Sequence, residues 1–204
     1  MTKWLIGALI IIVIAGVAFW YFKFNKQTVE VPPPQQSAAA AEPLTYASST
    51  MGISLNYPAS YTLDENYVYT AFPTKPVHGV KFSVPESFIT GTNLGADTGV
   101  SIEQLPRAKI CTGDIYLKAD VKASNFTVGS TTYSLATSSD MSGSNNDYEE
   151  QVYAIPGSSP CTAVRYFIHS SDVANYPQDT VTPYNRAALL SDFDSIRDSL
   201  VLSQ

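Results

Sequence analysis

The sequence predicts an α+β protein in which an antiparallel β-sheet is flanked by helices and preceded by one N-terminal transmembrane helix. Three observations lead to this prediction. An uncharged segment runs from Trp4 to Phe22. Short stretches of alternating apolar and polar residues end repeatedly at prolines, and one amphipathic pattern of helical period closes the chain. The resulting organisation is a membrane anchor at residues 1–26, a tether at 27–44 and a head domain at 45–204.

The first segment has the length and the flanks of a transmembrane helix. The 19 residues from Trp4 to Phe22 carry no charge, and Lys3 and Lys23 stand at the two ends. At about 1.5 Å per residue the segment reaches roughly 28 Å, enough to cross the hydrocarbon core of a bilayer. We therefore expect residues 4–22 to contact membrane lipid.

Aromatic residues favour an uncleaved anchor over a signal peptide. Trp4 at one end and Trp20 and Tyr21 at the other lie where interfacial aromatic belts occur. Cleavage after Ala18 is the alternative, but the mature chain would then begin with four aromatic residues. We predict a single-pass signal anchor.

The flanking charges alone do not orient this anchor. Lys3 and the amino terminus precede the segment, and Lys23 and Lys26 follow it. The positive charge on the two sides is therefore nearly equal, and the positive-inside rule does not choose an orientation. Both cysteines lie in the head, which is poor in charge and rich in Ser, Thr, Asn and Tyr. These properties fit an oxidising space, so we predict a cell-membrane protein whose C-terminal domain is extracytoplasmic.

The segment after the anchor has the composition of a spacer. Three consecutive prolines, Pro32 to Pro34, favour an extended polyproline conformation. The surrounding Gln, Ser and Ala residues supply no apolar core. Residues 27–44 are therefore predicted to hold the head away from the lipid surface.

The charge balance of the head excludes some partners. Residues 45–204 contain nine Lys and Arg against 16 Asp and Glu, a net charge of −7. Nucleic acids and anionic lipid surfaces require clustered positive charge. We predict no nucleic-acid partner, and we interpret the scattered acids as a source of solubility.

The sequence of the head predicts mostly short antiparallel strands. Alternating patterns end at Pro58, Pro73, Pro85 and Pro106, and Gly129-Ser130 has the form of a two-residue hairpin turn. Short turns between successive strands favour antiparallel pairing. The predicted strands are 53–57, 67–72, 80–84, 100–105, 126–128, 131–135, 148–155 and 162–169.

One helix is clear and comes last. Thr182 is a suitable N-cap and Pro183 then occupies the first helical position. Four residues recur at helical spacing and form an apolar stripe that must pack on the sheet: Leu189, Phe193, Ile196 and Leu200. Asp194 lies off this stripe and is expected to face solvent. Short helices are also expected near Cys111 or at 86–90.

Catalytic and metal signals are weak. A hydrolase interpretation takes His169 as the base and a nearby serine as the nucleophile, but the chain has no G-x-S-x-G elbow. Residues 140–147 gather oxygen ligands without EF-hand spacing, which favours a solvated loop. We therefore predict no catalytic residue, no metal site and no cofactor.

The two cysteines are predicted to form a disulfide. Cys111 and Cys161 lie beside turn residues at the ends of predicted elements and are 50 positions apart. Closing such a loop stabilises a fold by roughly 4 kcal/mol in the chain-entropy treatment. Two buried free thiols are the alternative. A redox catalyst would need a close pair such as C-x-x-C, which is absent from the sequence.

Several short motifs resemble one known family. The segment Gly52 to Pro58, GISLNYP, resembles the opening of PsbP-like domains, and Phe193 to Leu200 looks like their terminal helix. Cys161 to Ser171, followed by Asn175-Tyr176, is similar to uncharacterised membrane-anchored bacterial members of this group. The resemblance implies a PsbP-like sandwich of sheet and helices over about residues 45–202, with a non-catalytic accessory or binding role. It carries over no catalytic residue.

Two functions follow from these observations. The first is a membrane-anchored envelope protein whose head binds or helps to assemble a protein partner. The second is a cell-envelope hydrolase that uses His169 and a serine. A hydrolase should gather His169, an acid and a serine in one cleft, whereas a binding head should show an exposed apolar or aromatic surface.

Overall fold

The computed structural model describes residues 41–72, 75–117, 120–142 and 145–203. The strands are β1 (Leu44–Ser48), β2 (Ile53–Tyr57), β3 (Thr62–Tyr69), β4 (Val77–Ser83), β5 (Gly99–Leu105), β6 (Ser124–Val128), β7 (Thr131–Ser142), β8 (Asn146–Ala154), β9 (Cys161–Ser171) and β10 (Val201–Leu202). The helices are α1 (Glu86–Ile89) and α2 (Arg186–Asp198), with 3₁₀ turns at Gly113–Tyr116 and Val173–Asn175.

The strands form two antiparallel sheets. A three-stranded sheet has the order β1-β2-β10, and a seven-stranded sheet has the order β3-β4-β5-β9-β8-β7-β6. Every neighbouring pair runs antiparallel, as the short predicted turns indicated. Val128 pairs with Thr131 across Gly129-Ser130, and Gly129 has φ +57°. This pairing confirms the predicted two-residue hairpin. Its first turn residue has a positive φ, a conformation that glycine adopts without strain.

The main core lies between one face of the large sheet and a layer made of α2 and the small sheet. Leu189, Phe193 and Ile196 of α2 are fully buried in it. The Phe193 ring packs 5.2 Å from the Tyr166 ring of β9 and 6.5 Å from the Tyr61 ring, measured between centroids. The predicted apolar stripe of the helix therefore faces the sheet.

The second face of the large sheet is covered differently. A smaller cluster packs there around Tyr116, Ala136 and Val152, and the 3₁₀ turn Gly113–Tyr116 supplies its cover. Because α1 has four residues and α2 has 13, helical cover of the sheet is modest. The prediction of a sheet flanked by helices is too helical, and the described chain is predominantly β.

The start of α2 corrects the predicted N-cap. The helix begins at Arg186, and the cap is Asn185, whose Oδ1 accepts a hydrogen bond from the Ala188 N–H at 3.0 Å. Thr182 instead donates its N–H to the Gly91 carbonyl at 2.9 Å. The segment before the helix is thus held in a long-range bridge, and this tertiary contact overrides the local Thr-Pro signal.

Asp194 makes contacts that were not predicted. Its Oδ1 accepts a hydrogen bond from the Tyr166 hydroxyl at 2.8 Å and pairs with Arg197 Nη1 at 2.7 Å. Arg197 is only 3% exposed and lies over the Tyr153 ring at 4.7 Å. The Asp194 side chain is 47% exposed, as its position off the apolar stripe predicted, but its carboxylate also holds a buried arginine and a core tyrosine.

Several strands depart from the sequence-based boundaries: β10 was not predicted, and β7 continues to Ser142, beyond the predicted end at residue 135. β1 was not predicted, and β3 runs from Thr62 to Tyr69, earlier than the predicted 67–72. β3 is an edge strand with an irregularity between Asp64 and Tyr67, where the register with β4 shifts. Such a shift breaks the two-residue alternation on which the prediction depended.

The predicted anchor residues Lys3, Trp4, Trp20, Tyr21 and Lys23 lie outside the described residues, as does the tether up to residue 40. Neither helix of the described ranges has the length and the apolar composition of a membrane span.

Candidate functional site

The most distinctive surface of the head is an open groove of about 800 Å³ at the end of the large sheet where β4 begins and β5 ends. This volume lies within the range of ligand sites, roughly 300–1,000 Å³. Apolar side chains form most of it, and the main ones are Phe72, Val77, Leu105, Pro106, Ile110 and Ile115. Three cations complete the lining: Lys75, Arg107 and Lys109. We call this surface the basic groove.

A disulfide fixes one wall of the basic groove. The chain leaves the sheet after Leu105 and returns to it through Cys111, which is bonded to Cys161 at the start of β9. The Cα atoms are 5.2 Å apart, within the range for a disulfide. The predicted pairing of Cys111 and Cys161 is therefore present, and it ties residues 106–110 to the sheet.

Removing this disulfide should loosen the wall and the fold together. We expect Cys111→Ser and Cys161→Ser each to lower the free energy of unfolding by about 2–4 kcal/mol, as measured by urea unfolding. The double variant should equal the single variants, because each alone breaks the same link. Two titratable thiols in the native protein would contradict the predicted pairing.

The 3₁₀ turn that follows Cys111 is pressed against the sheet. The Tyr116 side chain is fully buried, and its hydroxyl donates a hydrogen bond to the Cys161 carbonyl at 2.6 Å. At Gly113, an added Cβ would lie 2.6 Å from the Val152 carbonyl oxygen, so the backbone can approach this closely only as glycine. The turn also places Ile115 in the groove.

A buried arginine holds the same turn from below. Arg165 is fully buried in β9 and donates from Nη2 to the Tyr116 carbonyl at 2.8 Å. Its Nε and Nη2 also bond the two carboxylate oxygens of Glu103 at 2.8 and 2.9 Å, and its Nη1 pairs with Glu150. The Tyr69 ring stacks on the guanidinium at 3.8 Å. This arrangement satisfies a charge that would otherwise be prohibitive to bury.

The electrostatic balance keeps Arg165 charged. Burial alone would lower the pKa of Arg165, but the charge and hydrogen bonds of Glu103, together with Glu150, raise that pKa above its ordinary value. The two carboxylates outnumber the single guanidinium, and Ser101 donates a further hydrogen bond to Glu103 at 2.7 Å. Arg165 therefore stays protonated, and its charged side chain supports the turn that forms the groove wall.

The buried tyrosines predict an alkaline limit to stability. Burial raises the pKa of Tyr61, Tyr116 and Tyr166 well above the usual value near 10. Above about pH 10 the unfolded chain loses these protons while the folded head keeps them, so stability should fall as pH rises. Absorbance at 295 nm should show that these tyrosines ionise only together with unfolding. Ionisation near pH 10 in a still folded head would contradict their burial.

The cations of the basic groove differ from the other three arginines of the head. Arg165, Arg186 and Arg197 pair with carboxylates within 4 Å. In the part of the chain that the structure describes, neither Lys75 nor Arg107 nor Lys109 forms such a pair. Ile110 beside them is 72% exposed. The groove is therefore an exposed apolar surface on an acidic domain, and its positive charges are not neutralised by any carboxylate of the described residues.

His169 does not form the catalytic arrangement that the hydrolase hypothesis requires. Its Nδ1 lies 2.7 Å from Asp97 Oδ1, and its ring stacks on Tyr148 with centroids 4.3 Å apart. Nε2 is buried and has no hydrogen-bond partner among the described residues, so no serine hydroxyl reaches it there. The structure brings an acid to His169 but not a nucleophile.

The acidic segment at 140–147 is mainly strand and not the expected loop. β7 extends to Ser142 and β8 begins at Asn146, so Asp140 pairs with Tyr148 and Met141 with Asp147. No cluster of three or more metal-ligating side chains occurs in residues 41–203 outside the gaps.

The basic groove was not predicted from the sequence, although a signal was present. Three of the nine basic residues of the head fall at positions 75, 107 and 109, around prolines 76 and 106. This cluster is not visible in the sequence because Lys75 lies about 30 positions before Arg107 and Lys109. The pairing of β4 with β5 brings these residues together. Arg165 was missed because its surroundings read as a continuous apolar strand.

Comparisons with known proteins do not place the chain in a family. No family model and no curated protein matches it. A crystal structure from Bacteroides thetaiotaomicron VPI-5482 aligns with a TM-score of 0.45 and 10% identity, over 78% of this chain and 48% of that chain. The solution structure of cyanobacterial PsbP (CyanoP) from Synechocystis sp. PCC 6803 aligns with a TM-score of 0.34 and 13% identity, over 81% and 95%.

This chain thus spans about half the length of the Bacteroides protein. Because both TM-scores are below 0.5, neither likeness assigns a function. The PsbP-like resemblance of the sequence stays a prediction.

Proposed function

We propose that this chain is a single-pass membrane-anchored protein whose extracytoplasmic head is a non-catalytic binding or assembly domain. The observation that carries the binding role is the basic groove, an apolar surface on which Ile110 is 72% exposed and three cations form no ion pair with a described carboxylate. Exposed apolar surfaces with a polar rim are typical of interaction sites. The partner is an envelope protein that buries Ile110 on binding.

Two features support the location. The uncharged segment at residues 4–22 has the length of a membrane span, and the Pro-rich tether follows it. The Cys111–Cys161 disulfide fits an oxidising compartment outside the cytoplasm. Both features agree with a head that works at the outer surface of the cell membrane.

A cell-envelope hydrolase is the second candidate, and one observation favours it. The His169–Asp97 contact at 2.7 Å has the form of a base and its orienting acid. The missing serine argues against it. If the head is a binding domain, His169→Ala should leave the binding of the partner unchanged. A hydrolytic activity that the wild-type protein shows and His169→Ala lacks would instead favour the enzyme.

The location can be tested by fractionation. The full-length protein should sediment with membranes and require detergent for release, because residues 4–22 would be buried in lipid. Protease added to spheroplasts should cut the tether near Pro32 to Glu42. Full-length protein in the washed soluble fraction, or protection of the tether until lysis, would contradict the proposal.

The binding role can be tested with matched surface variants. Ile110→Glu places a charge in the basic groove, and Val201→Glu places one on a comparably exposed aliphatic residue of β10, 61% exposed against 72% for Ile110. Proteins that co-purify with the wild-type chain from detergent-extracted membranes should be lost with Ile110→Glu and kept with Val201→Glu. Equal retention by both variants would refute the groove as the binding surface, provided that both variants melt like the wild type.

A further inference from the structure

We propose that the occupant of the basic groove is an acidic amphipathic segment of the partner protein, with apolar side chains on the groove floor and carboxylates beside the three cations. This inference rests on the proposed binding function and specifies the chemistry of the partner. It follows from the charge of the groove, its two-segment construction and the charge of the surrounding head.

The cations of the groove come from two separate segments. Lys75 lies on the connection between β3 and β4, whereas Arg107 and Lys109 follow β5. A segment with several Asp or Glu residues matches all three, and rim cations of this kind select partners by charge complementarity.

The apolar floor requires the same segment to be amphipathic. Leu105, Ile110 and Ile115 contribute aliphatic surface to the groove, and Ile110 is the most exposed large apolar residue of the described head. Burying such a side chain stabilises a complex, and the effect is largest near the centre of an interface. A uniformly acidic segment would leave this surface in water.

The walls favour recognition through side chains. Pro76 and Pro106 stand on the two segments that form the groove, and proline has no backbone N–H to donate to an added strand. The groove therefore recognises the apolar and acidic side chains of the partner segment. The segment does not bind here by adding a strand to the sheet.

The charge of the head makes the groove selective. The head carries 16 acidic against nine basic residues. Three basic residues, Arg165, Arg186 and Arg197, are already paired with carboxylates. An acidic segment is repelled by most of this domain and attracted at the groove. Such like-charge repulsion discriminates against binding elsewhere on the surface.

The test uses a photoreactive residue in the full-length protein within its own membrane. Benzoylphenylalanine replaces Ile110, cells are irradiated, and the cross-linked peptide is identified by mass spectrometry. We expect a segment of another envelope protein with at least two Asp or Glu residues next to apolar residues. Lys109→Glu in this background should lower the cross-link yield at least about fivefold, because a like charge replaces an attractive one.

The matched control is Lys122→Glu, which reverses one exposed charge outside the groove and should leave the yield unchanged. Cross-linking to a segment without acidic residues, to lipid, to glycan or to a second copy of this chain would overturn the inference while leaving a binding groove in place. A yield unaffected by Lys109→Glu would also overturn it. The absence of any cross-link from position 110 would refute the proposed binding function itself.

Discussion

Replacing Arg165 by methionine should destabilise the head by roughly 3–5 kcal/mol. The substitution removes the cation that both Glu103 oxygens contact, and Glu103 is itself fully buried. A buried carboxylate without its partner carries the full penalty of desolvation. The loss should appear in urea unfolding as a lower midpoint with an unchanged slope.

Two variants serve as controls for this prediction. Arg186→Met removes the cation from an exposed pair with Glu149 and should change stability by about 1 kcal/mol or less. The double variant Arg165→Met with Glu103→Leu should recover part of the loss, since the fully buried carboxylate is then removed together with its cation. The recovery should be incomplete, because Glu150 loses the same cation and keeps, among the described residues, only the hydrogen bond from the Tyr69 hydroxyl. Equal effects of Arg165→Met and Arg186→Met would show that the cluster is solvated.

The same substitution should weaken the wall of the basic groove. Arg165 donates to the Tyr116 carbonyl, and Tyr116 in turn donates to the Cys161 carbonyl. These two bonds hold the turn that carries Ile115 into the groove. In Arg165→Met, amide hydrogens of the 113–117 segment should therefore exchange faster than those of α2 relative to the wild type.

Phe193→Ala is expected to lower the free energy of unfolding by roughly 3–5 kcal/mol. Phe193 is fully buried at the centre of α2 and packs on the rings of Tyr61 and Tyr166. Its removal leaves a cavity between the helix and the seven-stranded sheet, among side chains that are themselves buried.

The matched control lies on the outer side of the same helix. Ser191 is exposed, so Ser191→Ala should change stability by less than about 0.5 kcal/mol. Asp194→Ala is not a suitable control, because Asp194 bonds both Tyr166 and Arg197. Similar losses for Phe193→Ala and Ser191→Ala would mean that the helix does not pack as described.

Much of the fold could be predicted because its signals are local. The alternation from Ile53 to Tyr57 and the Gly129-Ser130 turn report strand and hairpin geometry within a few residues. The start of α2 could not be predicted in this way. Thr182 and Asn185 are both good caps, and only the long-range bond of Thr182 to Gly91 decides between them.

The candidate site was predictable only in part. The disulfide could be inferred because the head contains two cysteines and no third. The basic groove depends on bringing Lys75 next to residues 105–115, which requires the register of β4 and β5. The Arg165 cluster depends on three neighbouring strands at once, and no single stretch of sequence carries that information.

The most direct test of a binding groove is a comparison of two photoreactive positions in intact cells. Benzoylphenylalanine at position 110 lies in the basic groove, and at position 201 it lies on β10 with similar exposure. A discrete protein adduct from position 110 and none from position 201 is the predicted result. The same adducts from both positions, or none from either, would contradict a head that binds its partner through this groove.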